Sequence, residues 1–92
     1  MRFTLKQLQA FVAAAQDSNV SSAAKALSLS QSAVSAAIAE LEGQFGRPLF
    51  DRIGKRLQLN ETGKQLLPKA INLLTQAQEL EQCGQRTRWA MH

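Results

Sequence analysis

Apolar residues recur at helical spacing from the start of the chain. Leu5, Leu8, Val12 and Ala15 stand three or four apart, and Phe11 widens their stripe. Thr4 and Gln7 make a capping-box pattern ahead of it, which predicts a first helix running to about Asp17. Ser18-Asn19 is expected to turn. Ser21 is a suitable N-cap for a short second helix, Ser22 to Leu27, rich in alanine at positions 23, 24 and 26. Small side chains suit two helices that cross closely. After Ser28-Leu29-Ser30, Ser30 caps a third helix from Gln31 to about Gln44. Its apolar face is Val34, Ala37, Ile38, Leu41 and Phe45, and Gly46 and Pro48 end it.

The period then changes. Leu49 to Ile53 suggests a short strand, Gly54-Lys55 a type II′ turn with glycine in its first central position, and Arg56 to Leu59 the returning strand, with Leu57 and Leu59 on one face. Asn60 caps a long helix to about Gln82. Pro68 inside it withholds a hydrogen bond from the Lys64 carbonyl, which predicts a kink. Leu66, Ala70, Leu73, Ala77 and Leu80 follow a 4-3-4-3 spacing, the seam of a coiled coil. Leu67, Ile71 and Leu74 form an adjacent stripe. Spacing alone allows one wide face folded onto its own domain, or one stripe on the domain and one on a partner helix. Gly84 is expected to end the helix, with a flexible, aperiodic tail after it.

The fold class expected is mainly α: a winged helix-turn-helix, three helices plus a β-hairpin wing, followed by a long linker helix. The expected division is residues 1–60 for the winged domain, 61–83 for a linker or dimerisation helix and 84–92 for the tail.

Composition sharpens this picture. Ninety-two residues fit one small domain, and the formal charge is +4. So short a chain buries a modest share of its surface and gains from a second copy. The positive balance suits a nucleic acid without requiring one. The one cysteine, Cys83, has no intramolecular partner, which fits a reducing compartment; it is read as inert rather than as a reactive thiol or an intermolecular bridge. No run approaches the roughly 18 apolar residues of a membrane span, and Met1-Arg2-Phe3-Thr4 leads into the periodic pattern without a signal-peptide core. The expected location is the cytoplasm.

Candidate chemistry lies in the third helix and the hairpin. Gln31, Ser32 and Ser35 place neutral hydrogen-bonding groups near the third helix's N-terminus. Glutamine pairs bidentately with adenine N6 and N7, serine with either kind of base group, and Ala36 offers at most contact with a thymine methyl. Arg52, Lys55 and Arg56 surround the hairpin turn, as phosphate or minor-groove contacts or as an ordinary solvated turn. Ser21 and Ser22 stand at the second helix's N-terminus, where amides and dipole favour a phosphate. The third helix carries no basic side chain, and Glu40 and Glu42 on its later turns are expected to face away from the phosphates. The only histidine, His92, is terminal. No metal-ligand spacing, catalytic cluster or phosphate-binding glycine loop occurs, so neither an enzyme, a metal nor a cofactor is expected.

The run from Ser22 to Ser35, with its Ala23-Ala24 pair, Leu27 and Ser30-Gln31, resembles the helix-turn-helix of LysR-type transcriptional regulators. Ile38, Leu41-Glu42, Phe45-Gly46, Leu49-Phe50, Arg52 and Gly63 continue that family's pattern in register, so the likeness runs from about Phe3 to Gln82. It departs at Ser32, where the family often has proline, and at Ala36, where many members have a DNA-contacting arginine. The resemblance implies a bacterial transcription factor that acts on the nucleoid. Its helix-turn-helix spans Val20 to Ala39, and it binds a dyad-symmetric operator in double-stranded DNA as a homodimer through the linker helix. A tetramer in a full-length form and RNA polymerase are further implied partners. No effector-binding domain follows in these residues, so a fragment or a truncated product is expected. Rival readings are a winged-helix module that binds another protein, and a truncated regulator that acts by forming heterodimers.

Overall fold

The computed structural model describes the backbone of residues 2–90 and the side chains of residues 2–85. The elements in order are α1 (Leu5–Asp17), α2 (Val20–Leu27), α3 (Gln31–Phe45), β1 (Phe50–Ile53), β2 (Arg56–Leu59) and α4 (Glu61–Ala90).

Local capping explains most of these boundaries. Thr4 Oγ1 accepts from the Gln7 amide, and Gln7 Oε1 accepts from the Thr4 amide, so both halves of the expected capping box form. Ser18 closes α1 at φ 60°. Asn19, not Ser21, caps α2: its Oδ1 accepts from the Ser22 amide at 2.7 Å, and the helix starts at Val20. Ser21 and Ser22 therefore lie inside the first turn rather than around its start. Ser30 caps α3 by accepting from the Ala33 amide at 3.1 Å, and Gly46 ends that helix at φ 68°. The hairpin pairs Phe50 with Leu59 through to Ile53 with Arg56. Gly54 takes φ 62°, as the expected turn requires.

The core is where α1 meets α2, α3, α4 and β2. Phe11, Leu41, Leu49 and Val34 are fully enclosed, and the Phe11 and Phe50 rings pack edge to face with centroids 5.6 Å apart. Ala10, Ala14, Ala23 and Ala24 are buried at the close helix crossings. The buried arc of α1 is Gln7, Leu8, Ala10, Phe11 and Ala14. It is rotated from the expected stripe: Leu5 is 50% exposed, while Val12 and Ala15 are half-buried. Neighbours on several sides of α1 cause the shift.

The helix α4 is joined to the domain at its start. Asn60 Oδ1 accepts from the Gly63 amide and Asn60 Nδ2 donates to the Pro48 carbonyl, both at 2.8 Å. A Cβ on Gly63 would overlap the Leu49 carbonyl oxygen and lie 2.7 Å from Leu59 Cδ2, so only glycine permits this approach. Pro68 lies inside the helix. The stop expected at Gly84 does not occur: a mid-helix glycine costs only about 1 kcal/mol against alanine, and α4 runs through it to Ala90. Residues expected as a tail are thus helical to Ala90; the remainder of that tail, with His92, lies outside the described residues. No helix among the described residues is long and apolar enough to cross a membrane.

Candidate nucleic-acid interface

The turn between α1 and α2, the start of α3 and the wing come together on one side. The Leu57 amide donates to the Ser18 carbonyl at 2.9 Å, which ties the wing to the first turn. Between these parts lies an open cleft of about 690 Å³. Ser21, Ser22 and Gln31 line one side; Arg52, Lys55 and Arg56 line the other. Three cations thus face two helix N-termini, whose amides and dipoles also favour negative charge. All six side chains are exposed.

The remaining expected base contacts lie on α3 outside the cleft. Ser32 and Ala36 are exposed and Ser35 is half-buried. Ser32 Oγ lies 3.2 Å from Ser30 Oγ, within the helix cap. Opposite the buried Val34, Ile38 and Leu41, the outward face also carries exposed Ala39 and Gly43. Small side chains there let the helix axis come close to a flat or grooved surface. Sequence reasoning did not single out Gly43, although its spacing of seven from Ala36 places it on the same face. It also missed Asn19, which lines the cleft as well as capping α2.

The acidic residues of α3 are engaged elsewhere. Glu40 accepts from Gln7 Nε2 at 2.9 Å, and Glu42 accepts from the Leu49 amide at 2.7 Å. Both carboxylates are thus bound to groups of their own domain.

The five seam residues separate into two groups. Ala70 is buried within its own domain, and Leu66 is half-buried and packs against that core. Leu73 and Leu80 are 42% and 74% exposed, and Ala77 is half-buried. These three line a shallow groove with Leu5 and Cys83. The apolar pattern is continuous, but α4 leaves the domain partway along it. Among the described residues no group of three or more His, Cys, Asp or Glu side chains is placed to hold a metal.

A tight helix pair, a third helix with a free polar face and a basic hairpin beside it define a winged helix-turn-helix of the DNA-binding kind. Residues 5–64 match the family described as bacterial regulatory helix-turn-helix protein, lysR family. The chain belongs to that family and carries its LysR-type helix-turn-helix DNA-binding domain. It is 52% identical over 82 residues to the uncharacterized HTH-type transcriptional regulator YeiE of Escherichia coli strain K12. That match takes in 89% of this chain and 28% of YeiE, so the chain spans little more than a quarter of its relative's length. Among solved structures, the CbnR_DBD-DNA complex superposes with a TM-score of 0.83 at 30% identity, over 98% of this chain and 100% of that one. The BenM_DBD/benA site 1 DNA complex gives 0.84 at 26% identity, over 92% and 99%.

Proposed function

We propose that the chain regulates transcription by binding a dyad-symmetric site in double-stranded DNA as a homodimer. The observation that carries this reading is the cleft in which Ser21, Ser22 and Gln31 face Arg52, Lys55 and Arg56. On this reading α3 enters the major groove and the wing reaches the adjacent backbone or minor groove. Gln31, Ser32 and Ser35 are the base readers, with Ala36 against a thymine methyl. The cations and the N-terminal turn of α2 hold phosphates. Exposed Leu73 and Leu80, with the half-buried Ala77 between them, pair two copies, and the site of action is the bacterial nucleoid. The two solved complexes, whose similar domains are bound to DNA, support the reading.

The test is selection of bound duplexes from a randomised library, followed by titration of the enriched site and of random DNA at two salt concentrations. Enrichment of a site with two related half-sites about one helical turn apart is expected, with affinity falling as salt rises. Binding that is equal for all duplexes, or absent, would favour a protein-interaction module instead.

A further inference from the structure

Gln31 donates from Nε2 to Oγ of Ser21, 2.9 Å away, across the turn that joins α2 to α3. Both side chains are exposed and both line the cleft that holds the wing cations. A glutamine amide carries two N–H donors and one carbonyl acceptor. With one Nε2 hydrogen committed to Ser21, one donor and Oε1 remain, and they stand side by side when the committed hydrogen is the one anti to Oε1. That pair complements the major-groove edge of adenine, with its N7 acceptor and N6 donor. Ser21 Oγ accepts in this bond and so keeps its own hydrogen to give. It stands at the second residue of α2, where first-turn amides have no acceptor within the helix. A phosphate oxygen at that helix end is a natural acceptor for both the hydroxyl and the amide.

We infer that Ser21 and Gln31 form one recognition unit: Ser21 is a positioning residue that holds the Gln31 amide in its adenine-reading orientation and links it to a backbone phosphate. The inference rests on the reading of α3 as the base-reading helix. It gives Ser21 an effect on base preference that a phosphate contact alone does not have. Released from Ser21, the Gln31 side chain samples more rotamers and either turn of its amide, and binding it to a base then costs more conformational entropy. A turned amide exchanges the places of Oε1 and Nε2, so its acceptor and donor no longer match N6 and N7 of adenine.

The experiment uses the whole chain and three duplexes: the one enriched by the parent from a randomised library, a derivative with a single A·T pair changed to G·C, and random DNA. The pair to change is the one at which Gln31→Ala loses its preference. Gln31→Ala is expected to lose roughly tenfold in preference there. Ser21→Ala is expected to lose about two- to tenfold at the same pair, the worth of one neutral hydrogen bond. Ser21→Thr keeps a hydroxyl and is expected to retain the preference. The double variant is expected to lose no more than Gln31→Ala alone, because the two side chains act through one base contact. Both residues are exposed, so all variants are expected to unfold at the parent's denaturant midpoint. If Ser21→Ala weakens all three duplexes by one factor and keeps the preference, Ser21 is only a backbone contact and the inference is overturned. Losses that multiply in the double variant overturn it too. A parental preference for G·C at that pair would mean that the amide does not present its adenine-reading donor and acceptor, which also overturns it. If Gln31→Ala changes the preference at no pair, the reading of α3 itself has failed, whatever Ser21 does.

Discussion

Gln7 donates from Nε2 to the Glu40 carboxylate 2.9 Å away, and so joins the start of α1 to the later turns of α3. Gln7 is only 8% exposed, and its Oε1 also accepts from the Thr4 amide and, at 3.4 Å, from Gln44 Nε2. One buried amide thereby completes a helix cap and sets α3 against α1. Removing it takes away three hydrogen bonds and leaves the Thr4 amide and Gln44 without this partner. Gln7→Ala is expected to lower stability by about 1–3 kcal/mol, as chemical denaturation would show. Glu40→Gln keeps an acceptor on an exposed residue, and a change within roughly 0.5 kcal/mol is expected.

Two glycines of α4 are expected to respond oppositely to alanine. At Gly63 the added methyl overlaps the Leu49 carbonyl oxygen, which is backbone and held in the domain. A loss of about 1–3 kcal/mol is expected, more than the gain in helix propensity. At Gly84 a Cβ meets nothing within 4 Å, so only propensity acts. Gly84→Ala is expected to raise stability or α4 helicity by up to about 1 kcal/mol. Thermal melts of the two variants beside the parent check both signs, and a destabilised Gly84→Ala would contradict the open surroundings of that residue.

The wing cations are expected to supply affinity rather than base preference. Arg52→Ala and Lys55→Ala each remove one charge from the cleft without disturbing buried neighbours. Each is expected to weaken operator and random DNA by similar factors. The slope of log affinity against log salt should become shallower by about 0.9 for each phosphate that the variant no longer neutralises. Salt titrations on both DNAs read this directly; an unchanged slope in both variants would remove the wing from the interface.

Leu80 is 74% exposed, so the domain itself gains little from it, while Leu73, at 42%, lies beside Phe3, Leu8 and Phe45 at the edge of the core. A variant carrying Leu73→Glu and Leu80→Glu is expected to remain folded and to sediment as a monomer where the parent sediments as a dimer. Leu66→Ala is the contrast. It removes a side chain packed against the core, and it is expected to cost stability, about 2–5 kcal/mol at most for a site only partly buried. A parent that is monomeric at tens of micromolar would overturn the pairing of α4.

Where residues within a few positions of each other decide the outcome, the sequence alone was sufficient. Thr4 with Gln7, Ser30 with Ala33, Asn60 with Gly63 and the left-handed Gly46 and Gly54 are settled by short-range hydrogen bonds and backbone sterics. Val34, Ile38 and Leu41 of α3 are buried as their spacing implied, while Ala37 is half-buried and Phe45, at the helix end, is 38% exposed; the motif from Ser22 to Ser35 with the residues in register after it was enough for the family.

The tertiary structure decided the rest, because burial and long-range contact depend on where whole elements lie. The cap of α2 is a local exception: Asn19 and Ser21 are both competent caps, and it is Asn19 Oδ1 that accepts from the Ser22 amide. Neighbours on several sides rotate the buried arc of α1 away from its apolar stripe. The seam of α4 divides where the helix leaves the domain, which no periodicity marks: Ala70 is inside and Leu80 outside, yet both keep the same spacing. The hydrogen bond from Gln31 to Ser21, and the cleft that sets both opposite Arg52, Lys55 and Arg56, join segments separated by the turn and by the whole of α3. Sequence spacing fixes which groups share one helix face, but only the packing of one element on another determines which groups from different elements meet.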